Sequence, residues 1–598
     1  MRFKLLYRTI CKDMKILGLS FDYHDSAAAL ILDGEIVAAV SEERFTRKKN
    51  DASFPQKSID FCLQQGNLNP KDLDFVVFYE DSFLKFNRIV KKSIFDSEKR
   101  KKYLWPVIND WLIKGKFSTK DRIKDYLKIS SDKIHSIKHH QSHAGSAYYC
   151  SDFQEASIIT LDGVGEYQTM TISHGKGNSI QLLEECNLPN SIGLFYSAIT
   201  AYLGFAVNED EYKVMGMAGY GKDTYYKQIR DLFTLSDNGT FKIDQSYFEF
   251  LNPTELPFNQ KFEELLGKRR NPSSEFFLKK DKKYDEEALL NNKRFADIAA
   301  SAQKVTEEVI EHIIVSAIKK TNSKNVCLSG GVALNSLANG KIKKKYDLNM
   351  FVQPASGDAG SSIGAALYFY NSIQKADSKR VPMSHAYLGP SYTNEEVSIA
   401  IQKSLTKNYR FYDTDEDLFK SLIELFLSGK VVGWLNGRSE FGPRALGARS
   451  ILANPIYPDM QNIVNRSIKF REAFRPFAPA VLEEEAERFF NLPRINNHLD
   501  PEYFMLSICT VKEEYKPQLP AITHVDGTAR VQLVNQKTNP RFYKLLKMFG
   551  EKSGIPILLN TSFNLKGEPI VETPLNAIKT FEWCNMDALV LENYIIKK

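Results

Sequence analysis

The amino-acid sequence predicts an α/β protein with two domains. A chain of 598 residues is long for one hydrophobic core, and its 43% hydrophobic and 26% charged content is ordinary for globular proteins. A pattern of strand, polar turn, strand, hairpin and strand occurs near the start and partly returns about 140 residues later. We therefore expect a duplicated domain at 15–380, a linker near 380 and a second α/β domain at 381–598.

The first unit begins with a short buried strand near residue 16 and a polar turn that carries His24. The next apolar run, 27–32, is followed by Asp33-Gly34, a dipeptide that strongly favours a β-hairpin. A third strand returns from this hairpin. The unit is thus predicted to form a three-stranded antiparallel meander.

The second unit repeats the pattern with a strand at 156–161, a turn that carries Asp162, and two further strands. Two such units, each opening with a turn that can hold phosphate, outline the duplicated superfold of actin, sugar kinases and Hsp70, called the ASKHA fold. Three-stranded meanders are common elsewhere, so the repeat alone is only suggestive of this fold.

Glycine-rich turns between strands and helices follow. One contains Gly330-Gly331 with Asn335 beside it, and another has Asp358 at its tip. Backbone amides at such junctions can hold phosphate or ribose. A simple strand-to-helix turn is the alternative interpretation.

The predicted second domain carries a cluster of cationic side chains interleaved with Gly, Pro and Phe. Seven fall within 38 residues: Arg438, Arg444, Arg449, Arg466, Lys469, Arg471 and Arg475. A solvated face would not need the apolar and turn residues between them, and the arginine fork binds phosphate in a two-pronged manner. The cluster therefore favours a buried polyphosphate or acyl-phosphate site, with RNA binding as the competing hypothesis.

Bulk composition excludes several classes of protein. The seven cysteines lie far apart without a CxxC motif, which argues against disulfides or a thiolate zinc site and fits the cytoplasm. Apolar runs do not approach the ~20 residues of a membrane span, and no membrane partner is expected. A net charge of +7 is weak evidence for nucleic acid, and the basic run Lys91–Lys102 is interpreted as a solvated face. Residues 1–14 lack signal-peptide features, so we interpret them as a tail or a mis-assigned start.

His139 and His143 form the most chemically suggestive pair in the chain. On a helix, a spacing of four puts both imidazoles on one face, close enough to share a metal ion. The spacing equally suits a polar helix start whose histidines merely form hydrogen bonds. It does not decide between the two.

Ten motifs, in order, resemble those of the NodU/CmcH family, the O-carbamoyltransferases of nodulation-factor and antibiotic biosynthesis. They are HDSAAALI (24–31), EERFTR (42–47), HHQSHA (139–144), LDGVGE (161–166), KVMGMAGYG (213–221), LSGGVALN (328–335), GDAGSSIGAAL (357–367), EFGPRALGARSILA (440–453), FRPFAPAV (474–481) and NTSFNLKGEPIV (560–571). The resemblance covers nearly the whole chain from about Lys15.

The resemblance implies an ASKHA-like N-terminal domain and a YrdC-like C-terminal α/β domain. The second domain would form carbamoyl-adenylate and pyrophosphate from carbamoyl phosphate and ATP. In the first domain, a hydroxyl of a sugar or secondary metabolite would then attack the carbamoyl carbon and release AMP. Oligomeric state stays open, with a homodimer among the alternatives.

Site residues are also implied by the resemblance. The implied metal ligands are His139, His143, Asp162 and Asp358, with Fe²⁺ as the family's metal and Mn²⁺ or Zn²⁺ equally compatible with the ligands. The implied catalytic residues are His24, whose unperturbed pKa near 6.5 suits a base, and Lys49, which matches a lysine near the adenylate. Gly330, Gly331 and Asn335 would flank the nucleotide. The residues expected to bind carbamoyl phosphate and ATP are Arg444, Lys469, Arg475, Arg530 and Asn564.

Two positions depart from the family pattern. Asn50 replaces a frequent histidine, and Gly219 replaces the proline of an A-P-Y-G turn. Two other functions compete with carbamoyl transfer: an ASKHA sugar kinase, and a regulatory or RNA-binding protein that has lost catalysis. The arginine-rich second domain argues against the kinase, and the intact ligand set argues against loss of catalysis.

Overall fold

The computed structural model describes residues 14–95, 111, 118–250, 256–278, 286–374, 379–406, 408–472 and 474–598. The predicted tail at 1–14 and the predicted solvated face at Lys91–Lys102 lie mostly outside the described residues. None of the helices in the described ranges has the length and hydrophobicity needed to cross a membrane.

Two five-stranded sheets with the same topology form the N-terminal part. The first contains β1 (Lys15–Ser20), β2 (Ala27–Leu32), β3 (Glu35–Ser41), β4 (Phe75–Phe78) and β5 (Ile134–Ser136). Its order is β3-β2-β1-β4-β5, with β1 antiparallel to β2 and parallel to β4. Asp33 and Gly34 both adopt positive φ between β2 and β3, as expected for the hairpin.

The second sheet contains β6 (Glu155–Leu161), β7 (Gln168–Lys176), β8 (Ser179–Asn187), β11 (Asn325–Ser329) and β12 (Asn349–Val352). Its order, β8-β7-β6-β11-β12, repeats that of the first sheet, again with an antiparallel meander and two parallel strands. A small hairpin, β9 (Phe233–Leu235) and β10 (Phe241–Ile243), lies in the insertion between β8 and β11. The repeated topology confirms the predicted duplicated ASKHA-like fold.

The described α-helices of this part cover the two sheets and their connections. They are α1 (Glu43–Thr46), α2 (Gln56–Gln65), α3 (Ser82–Phe95), α4 (Thr119–Leu127), α5 (His139–Tyr148), α6 (Ile192–Tyr202), α7 (Glu211–Ala218), α8 (Tyr226–Arg230), α9 (Gln260–Leu266), α10 (Glu286–Thr321), α11 (Ser336–Tyr346) and α12 (Asp358–Tyr368). Helix α10 extends beyond the predicted 294–318, because good helix formers continue on both sides.

Helices α5 and α12 occupy equivalent places in the two halves, since each follows the fifth strand of its sheet, and they pack against each other. Gly145 and Gly364 make this close crossing possible. A Cβ on Gly364 would lie 1.8 Å from the Ser142 carbonyl oxygen, and one on Gly145 would lie 2.6 Å from the Gly364 carbonyl oxygen. The crossing brings the start of α12 beside the buried histidines of α5.

An eight-stranded mixed sheet forms the C-terminal part, as expected for the YrdC-like α/β domain. In chain order its strands are β13 (Tyr409–Phe411), β14 (Val432–Leu435), β15 (Arg449–Ala453), β16 (Ala478–Leu482), β20 (Gln532–Val534), β21 (Ile557–Ser562), β22 (Ala588–Leu591) and β23 (Tyr594–Lys597). Their spatial order is β13-β23-β22-β14-β15-β21-β16-β20. A smaller sheet is built from β17 (Phe490–Asn491), β18 (Cys509–Val511) and β19 (Thr528–Ala529).

Amphipathic helices cover the larger sheet. The described α-helices here are α13 (Asn394–Gln402), α14 (Asp415–Leu427), α15 (Met460–Asn462), α16 (Ala486–Phe489), α17 (Pro540–Ser553) and α18 (Pro574–Glu582). Helix α14 buries Leu418, Leu422 and Phe426, four residues apart on one face, in a core that also contains Trp434 of β14. These helices leave the loop ends of the sheet free to face the N-terminal part.

Candidate active site

One cavity of about 650 Å³ lies between the two parts of the chain. Its walls include residues of most motifs that the sequence analysis singled out. The predicted site residues among its lining are His24, Lys49, Asp162, Gly331, Asn335, Arg444, Lys469, Arg475, Arg530 and Asn564. Both parts therefore contribute chemistry to one space.

Four potential ligand residues converge beside its N-terminal wall, and one of them, Asp162, lines the cavity. His139 and His143 lie one turn apart on α5, Asp162 follows β6, and Asp358 is the first residue of α12. One ligand atom from each lies within 4.8 Å of all the others. His139 Nε2 is 3.1 Å from Asp162 Oδ2, and His143 Nε2 is 3.5 Å from Asp358 Oδ1.

The donor atoms of this cluster face one another, which is the arrangement that a bound cation requires. The two Nε2 atoms of His139 and His143 are 3.0 Å apart. His143 Nδ1 lies 3.2 Å from both Ser329 Oγ and Ser361 Oγ, which fix the ring. Among the described residues, the buried Nδ1 of His139 has no hydrogen-bond partner. The residues present thus fit a divalent metal ion with mixed nitrogen and oxygen ligands.

Electrostatic interactions between the histidines and the carboxylates of the cluster favour the ionised form of both carboxylates. Burial raises the pKa of Asp162, but the imidazoles of His139 and His143 outweigh it and hold that pKa well below its usual range. For Asp358, burial is likewise outweighed by His139 and His24, which lower the pKa to about 2. Both carboxylates are therefore ionised at neutral pH.

His140, the third histidine of the motif, has a different environment. Its Nδ1 lies 2.6 Å from Thr160 Oγ1 and its Nε2 lies 2.9 Å from the Gln168 carbonyl oxygen. Burial and the neighbouring imidazoles lower its pKa to about 3, so the ring is neutral. It fastens α5 to the second sheet and is not part of the four-residue cluster.

His24 reaches the same cluster from the first turn of the chain. Its Nδ1 is 2.9 Å from Asp25 Oδ2, and its Nε2 is 3.9 Å from Asp358 Oδ2. Burial lowers the pKa of His24, but Asp358 and Asp25 outweigh it and raise the pKa to about 9. This differs from the unperturbed value used in the sequence argument, because the sequence does not reveal the facing carboxylates. A cation beside Asp358 would offset their charge.

Lys49 and the predicted nucleotide-binding residues have local partners. Lys49 Nζ forms an ion pair with Glu209 Oε2 at 3.2 Å. Gly331 donates its backbone N–H to Asp162 Oδ1 at 3.1 Å, whereas Gly330 has positive φ and lets the loop pass the Leu161 backbone. Asn335 caps α11 through its side chain, so its oxygen already accepts a hydrogen bond from Ala338 N–H.

At the C-terminal wall, cationic side chains gather with few carboxylates. Of the seven cationic residues that lie close together in sequence, four line the cavity: Arg444, Lys469, Arg471 and Arg475. Arg530, which directly follows β19, lines the cavity as well. The other three serve elsewhere: Arg449 is buried against Glu572, Arg438 donates to the carbonyls of Val37 and Leu388, and Arg466 is exposed.

This cationic wall has little compensating charge. Burial, together with Arg444, Arg471 and Arg475, holds the pKa of Arg530 well below its usual value. The Nε atoms of Arg444 and Arg530 are buried without a hydrogen-bond partner in the described part of the chain. Buried guanidinium groups without partners are costly, so the wall has the chemistry of an anion site.

Lys469 and Asn564 meet at the edge of this wall. Lys469 Nζ donates to Asn564 Oδ1 at 2.6 Å and to the Ser562 carbonyl oxygen at 2.6 Å. Burial holds the pKa of Lys469 well below its usual value, and Arg471 and Arg475 act in the same direction. A bound phosphate would supply the negative charge that this ammonium group lacks.

The sequence did not indicate several residues that belong to this region of the site. Lys213 on α7 bridges Asp210 at 2.9 Å and Glu472 of the C-terminal part at 3.0 Å. Glu472 in turn lies 3.5 Å from Arg475, whose guanidinium lies over the Tyr212 ring. The spacing K-x-R-E at 469–472 contains Arg471 and Glu472, but nothing local links that motif to KVMGMAGYG.

The EERFTR motif also connects the two parts of the chain. Arg44 donates to the carbonyl oxygens of Glu440 and Gly442, and Arg47 donates to those of Pro569 and Ile570. Gly442, Pro569 and Ile570 line the cavity next to the cationic wall. The motif therefore fixes the C-terminal loops against the N-terminal part.

Comparison with known proteins gives a consistent result. The family model described as "Carbamoyltransferase N-terminus" matches residues 15–367, and "Carbamoyltransferase C-terminus" matches residues 423–598. An uncharacterized protein of Synechocystis sp. is 41% identical, over 98% of this chain and 96% of its own length. Nodulation protein NolNO of Sinorhizobium fredii is 34% identical, over 96% of this chain and 79% of its length. Among solved structures, HypF of T. kodakarensis is 15% identical with a TM-score of 0.31, over 60% of this chain and 48% of that one.

Proposed function

The chain belongs to the carbamoyltransferase family and is a transferase, and from this premise we propose that it is an ATP-dependent O-carbamoyltransferase. The C-terminal wall of the cavity would form carbamoyl-adenylate from carbamoyl phosphate and ATP. The N-terminal wall would then pass the carbamoyl group to a hydroxyl group. The observation that carries this proposal is a cavity that has a cationic wall on one side and Asp162 of the four-ligand cluster on the other.

The first half-reaction must balance. Carbamoyl phosphate and water give carbamate and inorganic phosphate, and a carbamate oxygen then attacks the α-phosphorus of ATP and releases pyrophosphate. The substrates and the leaving group are polyanions. Arg444, Arg471, Arg475 and Arg530 would bind them in two-pronged fashion, and Lys469 with Asn564 would hold a further phosphate oxygen.

In the second half-reaction, the acceptor hydroxyl attacks the carbamoyl carbon, a new C–O bond forms, and AMP leaves. His24 would take the hydroxyl proton, and Lys49 would bind the phosphate of the adenylate. A divalent metal bound by His139, His143, Asp162 and Asp358 would supply Lewis-acid polarisation of a carbamoyl or phosphate oxygen. We propose Fe²⁺ for this site, with Mn²⁺ and Zn²⁺ as alternatives that the same ligands accept.

The acceptor is proposed to be a sugar or a sugar-derived metabolite. The nodulation proteins among the relatives share the family but do not name an acceptor. Glu209, which follows α6 within the segment between β8 and β11, lines the cavity, and we propose that this segment contacts the acceptor.

The test separates the two half-reactions. Pyrophosphate release from ATP should depend on carbamoyl phosphate and need no acceptor. Adding candidate hydroxyl compounds should yield products heavier by about 43 Da, the mass of a carbamoyl group that replaces hydrogen, together with AMP. If ADP and a phosphorylated acceptor form instead, the protein is a kinase and the proposal is wrong.

A further inference from the structure

His524 lies in the part of the cationic wall to which no role has been assigned. It precedes β19 in a tight turn: its backbone N–H donates to the Thr528 carbonyl oxygen at 2.8 Å, and Gly527 N–H donates to the His524 carbonyl oxygen at 2.9 Å. The side chain lines the cavity together with Arg444, Arg475 and Arg530. The turn thus holds one imidazole among the guanidinium groups.

The turn also selects the tautomer of this imidazole. Thr528 Oγ1 donates its proton to Asp526 Oδ1 at 2.7 Å, and the same carboxylate oxygen accepts the Thr528 backbone N–H at 3.0 Å. With its proton committed, the threonine hydroxyl can only accept from His524 Nδ1, which is 3.1 Å away. The proton therefore resides on Nδ1, and Nε2 carries a lone pair.

No other protein group in the described part of the chain engages that lone pair. Nε2 of His524 is buried and has no hydrogen-bond partner within the described ranges. Burial lowers the pKa of His524 to about 4, with Asp526 opposing and Arg530 reinforcing the effect. The opposite tautomer could point an N–H toward the Phe477 backbone. It would, however, leave the Nδ1 lone pair facing the threonine oxygen.

The proposed function requires water to attack carbamoyl phosphate, and none of the residues assigned above activates that water. We propose that His524 is the general base for this hydrolysis, which rests on the proposed adenylation function. Nε2 takes a proton from water, the water oxygen bonds to phosphorus, and the P–O bond to the carbamoyl group breaks. Carbamate leaves with its own oxygens, and the proton returns from Nε2 to the phosphate.

The surrounding cations suit this step. Arg444, Arg475 and Arg530 would bind the phosphoryl oxygens and stabilise the charge of the transition state. A neutral imidazole among cations cannot act as an acid in this place, but it can receive a proton transiently. The carbamate that is released then lies in the same cavity as ATP, where it can attack without leaving the protein.

The decisive experiment supplies carbamate directly. Solutions of ammonium bicarbonate contain carbamate at equilibrium, and with ATP they should support pyrophosphate release by the full-length protein without carbamoyl phosphate. His524→Asn places an amide N–H where Nδ1 was and so keeps the bond to Thr528, but it lacks the base. We expect phosphate and pyrophosphate release from carbamoyl phosphate to fall at least about 100-fold, with release from carbamate within about threefold of wild type.

Further variants and a label make the outcome unambiguous. His524→Gln puts an amide near the Nε2 position and should be as impaired as His524→Asn. His498→Asn, outside the cavity, is the matched control and should behave as wild type. In H₂¹⁸O, the label should appear in inorganic phosphate and not in the carbamoyl product.

Three results would overturn the assignment. His524→Asn or His524→Gln could retain carbamoyl phosphate hydrolysis, or a folded variant could lose the carbamate and carbamoyl phosphate reactions equally. The label could also enter the carbamoyl group. Failure of the wild type with both substrates would instead refute the adenylation function on which the assignment rests.

Discussion

The ion pair between Lys213 and Glu472 makes the proposed adenylation site depend on the N-terminal part of the chain. Lys213 lies on α7, whereas Glu472 lies beside Arg475 in the cationic wall. Tyr212, the neighbour of Lys213, covers the other side of the Arg475 guanidinium. We predict that Lys213→Met impairs pyrophosphate release, although Lys213 belongs to the domain proposed for carbamoyl transfer.

The magnitude follows from distance and burial. Two charges 3.0 Å apart attract by about 5 kcal/mol at an effective dielectric constant of 20, before the cost of desolvation. Breaking a fully buried pair costs about 3–5 kcal/mol. Lys213 is 8% exposed, but Glu472 is 25% exposed and keeps its contact with Arg475, so a net loss of about 2 kcal/mol is reasonable. If this loss falls entirely on the positioning of Arg475, it corresponds to at most about a 30-fold decrease in kcat/KM, since 1.4 kcal/mol is a factor of ten.

The assay is initial-rate pyrophosphate release with ATP and carbamoyl phosphate. Because Arg475 would bind substrate, most of the loss should appear as a raised KM for the phosphorylated substrates. Lys213→Arg should restore most of the activity. Lys304→Met, which removes an exposed pair with Asp223 on the same part of the chain, is the control. Unchanged KM values in a folded Lys213→Met protein would refute the idea that α7 positions Arg475.

Two further predictions concern other parts of the molecule. His143→Ala should lower the metal content of the purified protein and abolish carbamoyl transfer while sparing pyrophosphate release. His174→Ala, on β7 of the second sheet, should change neither. Loss of both half-reactions in His143→Ala would show that the cluster has a different role. We predict that Asp500→Asn stabilises the protein more at pH 7.5 than at pH 4.5. The gain in the free energy of unfolding, measured by urea denaturation, should be about 2 kcal/mol larger at the higher pH. Burial raises the pKa of Asp500 from 3.8 to about 6, with Lys343 opposing the shift, so its stabilising contribution is complete below pH 3.8 and is lost as the pH rises through 6. An equal gain at both pH values would contradict this assignment.

Local sequence signals predicted much of the fold. The Asp33-Gly34 hairpin, the two meanders and the helix that carries His139 and His143 are encoded within short stretches by turn chemistry and hydrophobic patterning. The identical order of the two sheets confirms the duplicated fold. The assigned roles of the site residues stay predictions, although the structure brings the four proposed ligands together.

Contacts between distant segments could not be predicted in the same way. Lys213 and Glu472 are 259 residues apart, and neither segment contains a local signal that pairs it with the other. Asn335 was expected beside a nucleotide, but its side chain caps α11, a role that the same Asn-before-helix pattern equally allows. Arg449 belonged to the predicted phosphate cluster, yet it is fully buried with Glu572. The sequence shows that these cationic residues are close together along the chain, but only tertiary packing decides which of them face the cavity.

The distribution of charge over the cavity suits the two half-reactions that we propose for it. Asp162 and the adjacent Asp358 place carboxylates at the N-terminal wall, whereas the C-terminal wall holds guanidinium groups with little compensating charge. Pyrophosphate and carbamoyl phosphate would be held at the cationic wall and repelled by the carboxylates unless a metal ion neutralises them. A polyphosphate therefore has one favourable position, and an adenylate, which has lost most of that charge, is freer to approach the metal ligands and His24. In the proposed mechanism, the decrease in negative charge at adenylation thus favours movement of the product from the cationic wall toward the metal ligands.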